Sequence, residues 1–356
     1  MVNNNKFNPG IAIPPGETLQ EVLEDRGMTQ KDLAERMEVT PKHINKIIKG
    51  TAAISPDISI KLEDVLGIKA SFWNNLEMKY QETKARINSM ANIEAEESIL
   101  KLIPYTEMEK LNWIERTKNP IERIINLRKF FGIASLNSLS TVHQVAFRKS
   151  TKFEANTYAI AAWLTKVEQI ATGINTLPYK KSTLEEALPE FRKLTKLPAK
   201  AAIPKLKSLC SQVGIALVIT PHLNKTYLNG VTKWLSPNKI MIALSVKGGY
   251  EDIFWFTFFH ELGHVFQEKK SEIFIDGDEY INNQLEVDAD NFALTNLIPN
   301  EFYEDFIKNK HYLDKVKLRE FAEQVDINIG IVIGRLMKDN YIEFGNKSYE
   351  QLRRKF

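Results

Sequence analysis

One cysteine, Cys210, stands in a chain of 356 residues. A single thiol excludes an internal disulfide and points to a reducing compartment, where a lone cysteine serves most simply as a small buried hydrophobe. Long hydrophobic runs are missing too. The most apolar short stretch, residues 253–259, is interrupted by Thr257 and falls far short of the ~20 residues that span a bilayer. Residues 1–10 are polar and Asn-rich, without the apolar segment of a secretory leader. A cytoplasmic protein with no membrane partner is expected. An excess of charge is also lacking. Lys and Arg number 48 against 45 Asp and Glu, a net charge of +3, which excludes a tail that binds nucleic acid by charge alone. The chain has neither internal repeats nor low-complexity tracts.

What is present divides into zones. The length fits two or three compact units. Residues 1–80 read as short helices separated by turn signals, residues 81–200 as an amphipathic helical connector, and residues 201–356 as a mixed domain. There Ile215-Ala216-Leu217-Val218-Ile219 and Ile240-Met241-Ile242-Ala243-Leu244 have the length and apolarity of strands. Turn-rich Ser236-Pro237-Asn238-Lys239 precedes the second, Gly248-Gly249 follows it, and helical patterns resume at Asp252 and near Leu285. Helices in front and mixed structure behind predict separate domains.

In the first zone, Leu19, Val22 and Leu23 share one face of a helix beginning near Thr18, and Gly27 supplies its left-handed end. Thr29 caps a second helix from Gln30 to Met37, with Leu33, Ala34 and Met37 inward. Thr40 caps a third, with Pro41 in its first turn, where proline costs nothing. That helix turns Ile44, Ile47 and Ile48 inward and Lys42, His43, Asn45, Lys46 and Lys49 outward. Two short helices, a tight connection and a polar-basic outer face make a helix-turn-helix pattern. Ala34 is small enough to let the two helices approach. Asn pairs bidentately with adenine and Lys reaches guanine or phosphate, so Asn45 with Lys42, Lys46 and Lys49 forms the candidate reading face. Thr40 starts that helix, and Gln30 is placed to bond a backbone phosphate. His43 fits either base reading or a solvated surface. Residues 1–80 hold ten basic and eleven acidic side chains, so affinity requires a local stripe and a homodimer on two half-sites.

The stretch from Ile13-Pro14-Pro15-Gly16-Glu17 through Thr29-Gln30-Lys31-Asp32-Leu33-Ala34 to Phe72-Trp73-Asn74-Asn75-Leu76 resembles the HigA-type antitoxins, a branch of the Xre helix-turn-helix regulators. The resemblance implies a lambda-repressor-like all-α domain that binds operator DNA as a dimer, represses its own promoter and in many cases neutralises a toxin. Glu38 departs from the pattern. It occupies a turn where the family often has Gly, and a left-handed side chain there costs roughly 1 kcal/mol.

Residues 260–264 read His-Glu-Leu-Gly-His. On a helix, His260 and His264 lie one turn apart on one face, so both imidazoles reach a single ion. Zn²⁺ suits two imidazoles and a carboxylate with a fourth position open. Glu261, offset by one residue, fits a general base that takes a proton from water and returns it to a leaving amine. Phe254, Trp255, Phe256, Phe258, Phe259, Val265 and Phe266 bury this segment, where unpartnered polar groups would be costly. Downstream, Leu285, Ala289, Phe292 and Ala293 form an apolar helix face with Glu286 and Asp290 beside it, four apart. Glu286 is the candidate third ligand and Asp290 the acceptor that orients a histidine. Asp288 points elsewhere.

The run Phe256-Thr257-x-x-His260-Glu261-x-Gly263-His264, followed by Glu286, Ala289, Phe292-Ala293 and Pro299, resembles the ImmA/IrrE metallo-endopeptidases. Phe321-Ala322 through Arg335-Leu336 to Tyr341-Ile342 matches that family's helical tail. The resemblance covers about residues 200–345 and implies an α+β zincin-like fold, a zinc cofactor and cleavage of a protein such as a repressor. Where the family commonly has Asn, this chain has Asp290, which can orient a histidine equally well. The residue that stabilises the oxyanion is not identifiable. Tyr250 and His222 are candidates, though each fits a structural role better.

In the connector, Leu127-Arg128-Lys129-Phe130-Phe131-Gly132 and Ala146-Phe147-Arg148-Lys149-Ser150 resemble stretches of fused antitoxin–peptidase proteins. Trp163, with Ala159, Ile160 and Leu164, fits a helix packed into a core, and His143 and His311 have no evident partners in sequence. The expected protein is therefore multidomain, a DNA-binding regulator carrying a zinc endopeptidase whose substrate is a repressor, a toxin or the chain itself. The alternative is a non-proteolytic antitoxin whose C-terminal domain binds metal or a partner. Retention of Glu261 favours the enzyme.

Overall fold

The computed structural model describes residues 11–91, 93, 96–143, 156–226, 228–245, 249–269, 273–275 and 283–356. The Asn-rich start, residues 146–150 and Gly248 lie outside them. By contact the chain forms two units, Met1–Ser98 and Ile99–Phe356. The expected connector is therefore divided: residues 81–98 fall in the first unit, and residues 99–200 fall in the second. The reason lies in burial. Leu184, Ala187 and Phe191 join the same apolar core as the strands and the helix that carries His260 and His264, and the Trp163 indole donates to the Pro221 carbonyl just after the first strand (3.1 Å).

The first unit is helical. Helices of more than six residues, numbered along the chain, are α1 (Pro15–Asp25), α2 (Gln30–Arg36), α3 (Pro41–Ile48), α4 (Pro56–Leu66) and α5 (Ala70–Ala91). α1 begins three residues before the expected Thr18, because Pro15 fits the first turn of a helix. Thr29 and Asp32 form a reciprocal capping box on α2, and Thr40 accepts from the His43 amide to cap α3. Glu38 takes the left-handed conformation at φ 54°. Leu19, Leu33, Ala34, Ile44, Ile47, Leu62 and Trp73 build the core, while Ile48 is half-buried at its margin. α1 crosses α3 at Gly16, where a Cβ would stand 2.1 Å from the Ile47 carbonyl oxygen. Only glycine allows that approach.

The second unit is mixed. Its longer helices are α6 (Pro120–Phe131), α7 (Thr157–Gly173), α8 (Lys181–Leu194) and α9 (Ala199–Gln212), then α10 (Glu251–Phe266), α11 (Asn283–Leu297), α12 (Asn300–Lys308), α13 (Lys315–Gln324) and α14 (Ile329–Lys338). Strands β1 (Ile215–Thr220), β2 (Gly230–Ser236), β3 (Lys239–Ser245) and β4 (Ile273–Ile275) form one sheet in the order β1-β3-β2-β4. β1 and β3 are parallel and buried, as their unbroken apolar runs require. β2 pairs antiparallel with both β3 and β4, and the turn at Pro237-Asn238 closes the β2–β3 hairpin. α10 is buried along nearly its whole length. Among the described residues no helix is long and apolar enough to cross a membrane.

His143 sits beside the Phe131 ring and the Thr165 hydroxyl (3.3 Å), and burial lowers its pKa. His311 packs against Phe306. Cys210 is fully buried, which pushes its thiol pKa well up and leaves it a packing group.

Candidate metal centre and nucleic-acid interface

α10 and α11 carry the candidate ligands, and a glycine sets how near they come. A Cβ on Gly263 would meet the Ala289 Cα at 2.8 Å, so the backbones touch between the two histidines of α10 and the two acids of α11. Glu286 thereby reaches both rings. Its Oε2 is 3.3 Å from His260 Nε2 and its Oε1 3.5 Å from His264 Nε2, while the two Nε2 atoms are 3.1 Å apart. Burial works against the Glu286 carboxylate, but when the facing imidazoles carry protons toward it, their hydrogen bonds and charge outweigh burial and bring its pKa down to about 2.

The outer nitrogens of both rings are committed. His260 Nδ1 faces Asp290 Oδ1 at 2.8 Å, and Asp290 is held in turn by Lys338 Nζ at 3.1 Å. His264 Nδ1 faces Gln267 Oε1 at 3.1 Å. The Gln267 amide orientation is fixed because its Nε2 donates to the Leu285 carbonyl at 2.6 Å. Both histidines therefore meet acceptors at Nδ1 and carry a proton there. In the neutral rings both Nε2 atoms are then lone-pair donors, aimed at each other and at a carboxylate. Such a triad repels itself unless a metal cation, or a second proton on one of the rings, lies within it. The fit to zinc is quantitative. Tetrahedral bonds of ~2.1 Å put donors roughly 3.4 Å apart, and the observed separations run from 3.1 to 3.5 Å.

Glu261 is fully buried beside this triad, under β2. Its Oε2 accepts from the Thr232 hydroxyl at 2.6 Å, and a Cβ on Gly230 would lie 2.2 Å from its Oε1. The Phe274 ring of β4 stacks on His264 at 4.2 Å between centroids. Thr232, Gly230, Phe274, Gln267 and Lys338 were not legible as site residues in the sequence. Gln267 alone carried a signal, three residues beyond His264 on the same helix end. Asp288 is exposed, as expected. Tyr250 stands at the opposite end of α10 from the histidines, its ring covered by the Arg353 guanidinium at 3.9 Å, so it belongs to the packing of that end. His222 is half-buried in the loop after β1.

In the first unit, Lys42, Lys46 and Lys49 are exposed along the outer side of α3, with His43 and Asn45 half-buried among them. Asn45 Nδ2 donates to Gln30 Oε1 (3.2 Å), and Gln30 Nε2 donates to Gln20 Oε1 (3.2 Å). Gln30 thus engages α1 and α3 at once and orients Asn45.

The model of the helix-turn-helix family matches residues 19–73. The uncharacterized HTH-type transcriptional regulator YddM of Escherichia coli strain K12 is 31% identical over 71 residues, which is 20% of this chain and 76% of that protein. The chain belongs to the helix-turn-helix family. This helix-turn-helix protein is also 34% identical over 70 residues to virulence-associated protein I of Dichelobacter nodosus, covering 19% of the chain and 65% of that relative. Among solved structures, the Pseudomonas aeruginosa antitoxin HigA with higBA promoter shows 31% identity. It covers 24% of this chain and 95% of that one, with a TM-score of 0.23.

Proposed function

We propose that this helix-turn-helix protein is an operator-binding regulator whose second unit is a zinc-dependent endopeptidase. The observation that carries the enzymatic half is the convergence of two imidazoles, each facing an acceptor at Nδ1, and one carboxylate at tetrahedral spacing. Helix-turn-helix membership and the polar-basic face of α3 support the DNA-binding half.

A zinc ion held by His260, His264 and Glu286 would supply Lewis acidity toward water and a peptide carbonyl. Glu261 accepts the proton that the attacking water gives up, and Thr232 holds its carboxylate in place while it does so. As the C–N bond breaks, Glu261 returns that proton to the amine nitrogen, which balances the hydrolysis. Asp290 and Gln267 keep the imidazoles in one tautomer, and Lys338 keeps Asp290 turned toward His260. The substrate class carried by the ImmA/IrrE resemblance is a protein, a repressor or toxin. On DNA, a homodimer would place two copies of α3 in successive major grooves, with Asn45 reading a base edge and Lys42, Lys46 and Lys49 meeting phosphates.

Glu261→Gln tests the reading. Full-length native and variant chains should each hold about one zinc by elemental analysis, and only the native chain should generate new protein N-termini in cells that express it. Equal N-terminal profiles with zinc retained would leave the alternative, an antitoxin that binds metal without cleaving. For the DNA half, Asn45→Ala should weaken binding to the DNA upstream of its own gene in a gel shift, with the fold unchanged. Affinity should also fall steeply as salt rises.

A further inference from the structure

Behind the metal triad, between α10, α11 and α14, lies a cavity of about 220 Å³. Ile253, Phe256, Leu294, Leu297, Ile331 and Phe344 give it apolar walls, and Phe344 stands 67% exposed at the surface. Three cations, Arg335, Lys338 and Arg353, share the lining with one acid, Asp252. That acid is already closed on Arg353 at 2.7 Å, both side chains being buried. The guanidinium of Arg335 donates to the Leu294 and Ile298 carbonyls and to Asn300. Its nearest acid, Asp339, lies 3.7 Å away and is taken by the Tyr303 hydroxyl. The three cations are thus matched by Asp252, Asp339 and Asp290, and the pocket combines hydrocarbon walls with one half-exposed ammonium, Lys338, at its rim.

Lys338 joins this cavity to the metal site. Its Nζ lies 4.3 Å over the Phe256 ring, a wall of the pocket, and 3.1 Å from the carboxylate that orients His260. Phe256 itself stands beside the His260 ring. An anion in the pocket would compete with Asp290 for Lys338.

We propose that this cavity is an effector site for a small apolar carboxylic acid, whose charge engages Lys338 and so alters metal binding. A cavity of ~150 Å³ takes benzene, so this one holds on the order of nine heavy atoms, the size of an eight-carbon acid with its head group at the rim. The consequence for metal rests on the zinc reading above, whereas binding to the cavity does not.

Octanoate is the probe and octanamide its neutral control, both titrated by calorimetry into the full chain, with and without chelator. Octanoate should bind saturably and about tenfold more tightly than octanamide. Its presence should also shift the zinc dissociation constant at least threefold against a chromophoric chelator, as reciprocal linkage requires. Lys338→Gln, at a half-exposed position, should abolish both the preference and the shift. Leu297→Trp, which fills the cavity, should abolish binding of either probe. No saturable binding, equal affinity for acid and amide, or binding that leaves zinc affinity unchanged would each overturn the proposal. A chain that takes up no zinc fails the metal reading instead, and octanoate binding without metal then decides the cavity alone.

Discussion

At the scale of single residues, the candidate metal centre rests on contacts too close to be rearranged. A methyl group on Gly230 would overlap the Glu261 carboxylate. Gly230→Ala should therefore retain zinc while losing cleavage, measured by elemental analysis beside the N-terminal profile. Asp290→Ala removes the acceptor that fixes the His260 tautomer and should weaken zinc about 10–100-fold in chelator competition. The grouping of His260 with His264 was legible because helical spacing projects residues four apart onto one face, and Glu286 stood out beside the apolar face of a second helix. Thr232, Phe274 and Lys338 were not. Each depends on which strand or helix the fold brings alongside α10, and a linear pattern does not carry that.

At the scale of elements, glycines decide how closely helices meet. Gly263→Ala would push α11 away from α10 and carry Glu286 out of reach of the imidazoles, so zinc affinity should fall although no ligand is altered. Competition against the same chelator would reveal it. Gly16→Ala forces α1 off α3 and should destabilise the first unit by about 1–3 kcal/mol, the usual scale for overpacking, read by urea denaturation. The helices α1 to α3 were visible through caps and apolar spacing, and β1 and β3 through unbroken apolar runs. β2 and β4 escaped for physical reasons. β2 interleaves Thr232 and Lys233 with Val231 and Trp234, because it packs one face on α10 and bonds Glu168 from the other side through Lys233. β4 has only three residues, too few for any periodicity.

At the scale of the molecule, two units with separate cores should unfold in separate transitions. Zinc at a hundredfold excess over its dissociation constant would stabilise only the second, by about 2.7 kcal/mol. Calorimetry with and without chelator should show one endotherm moving and the other fixed; both moving would mean that the metal holds more than one unit. The boundary between the units was the least legible feature. Residues 99–200 carry amphipathic helices that suit a connector as well as a core, and only their burial against the sheet distinguishes the two.

The buried pair between Asp252 and Arg353 also has a meaning in time. These partners are separated by 101 positions, so the ribosome makes the front of α10 long before it makes the cation that neutralises it. An uncompensated acid in that setting is strongly unfavourable, by roughly 3–5 kcal/mol. During translation the helix-turn-helix unit can mature early, while the segment bearing the histidines waits for arginine from far downstream. The second unit is thus complete only once synthesis has passed residue 353.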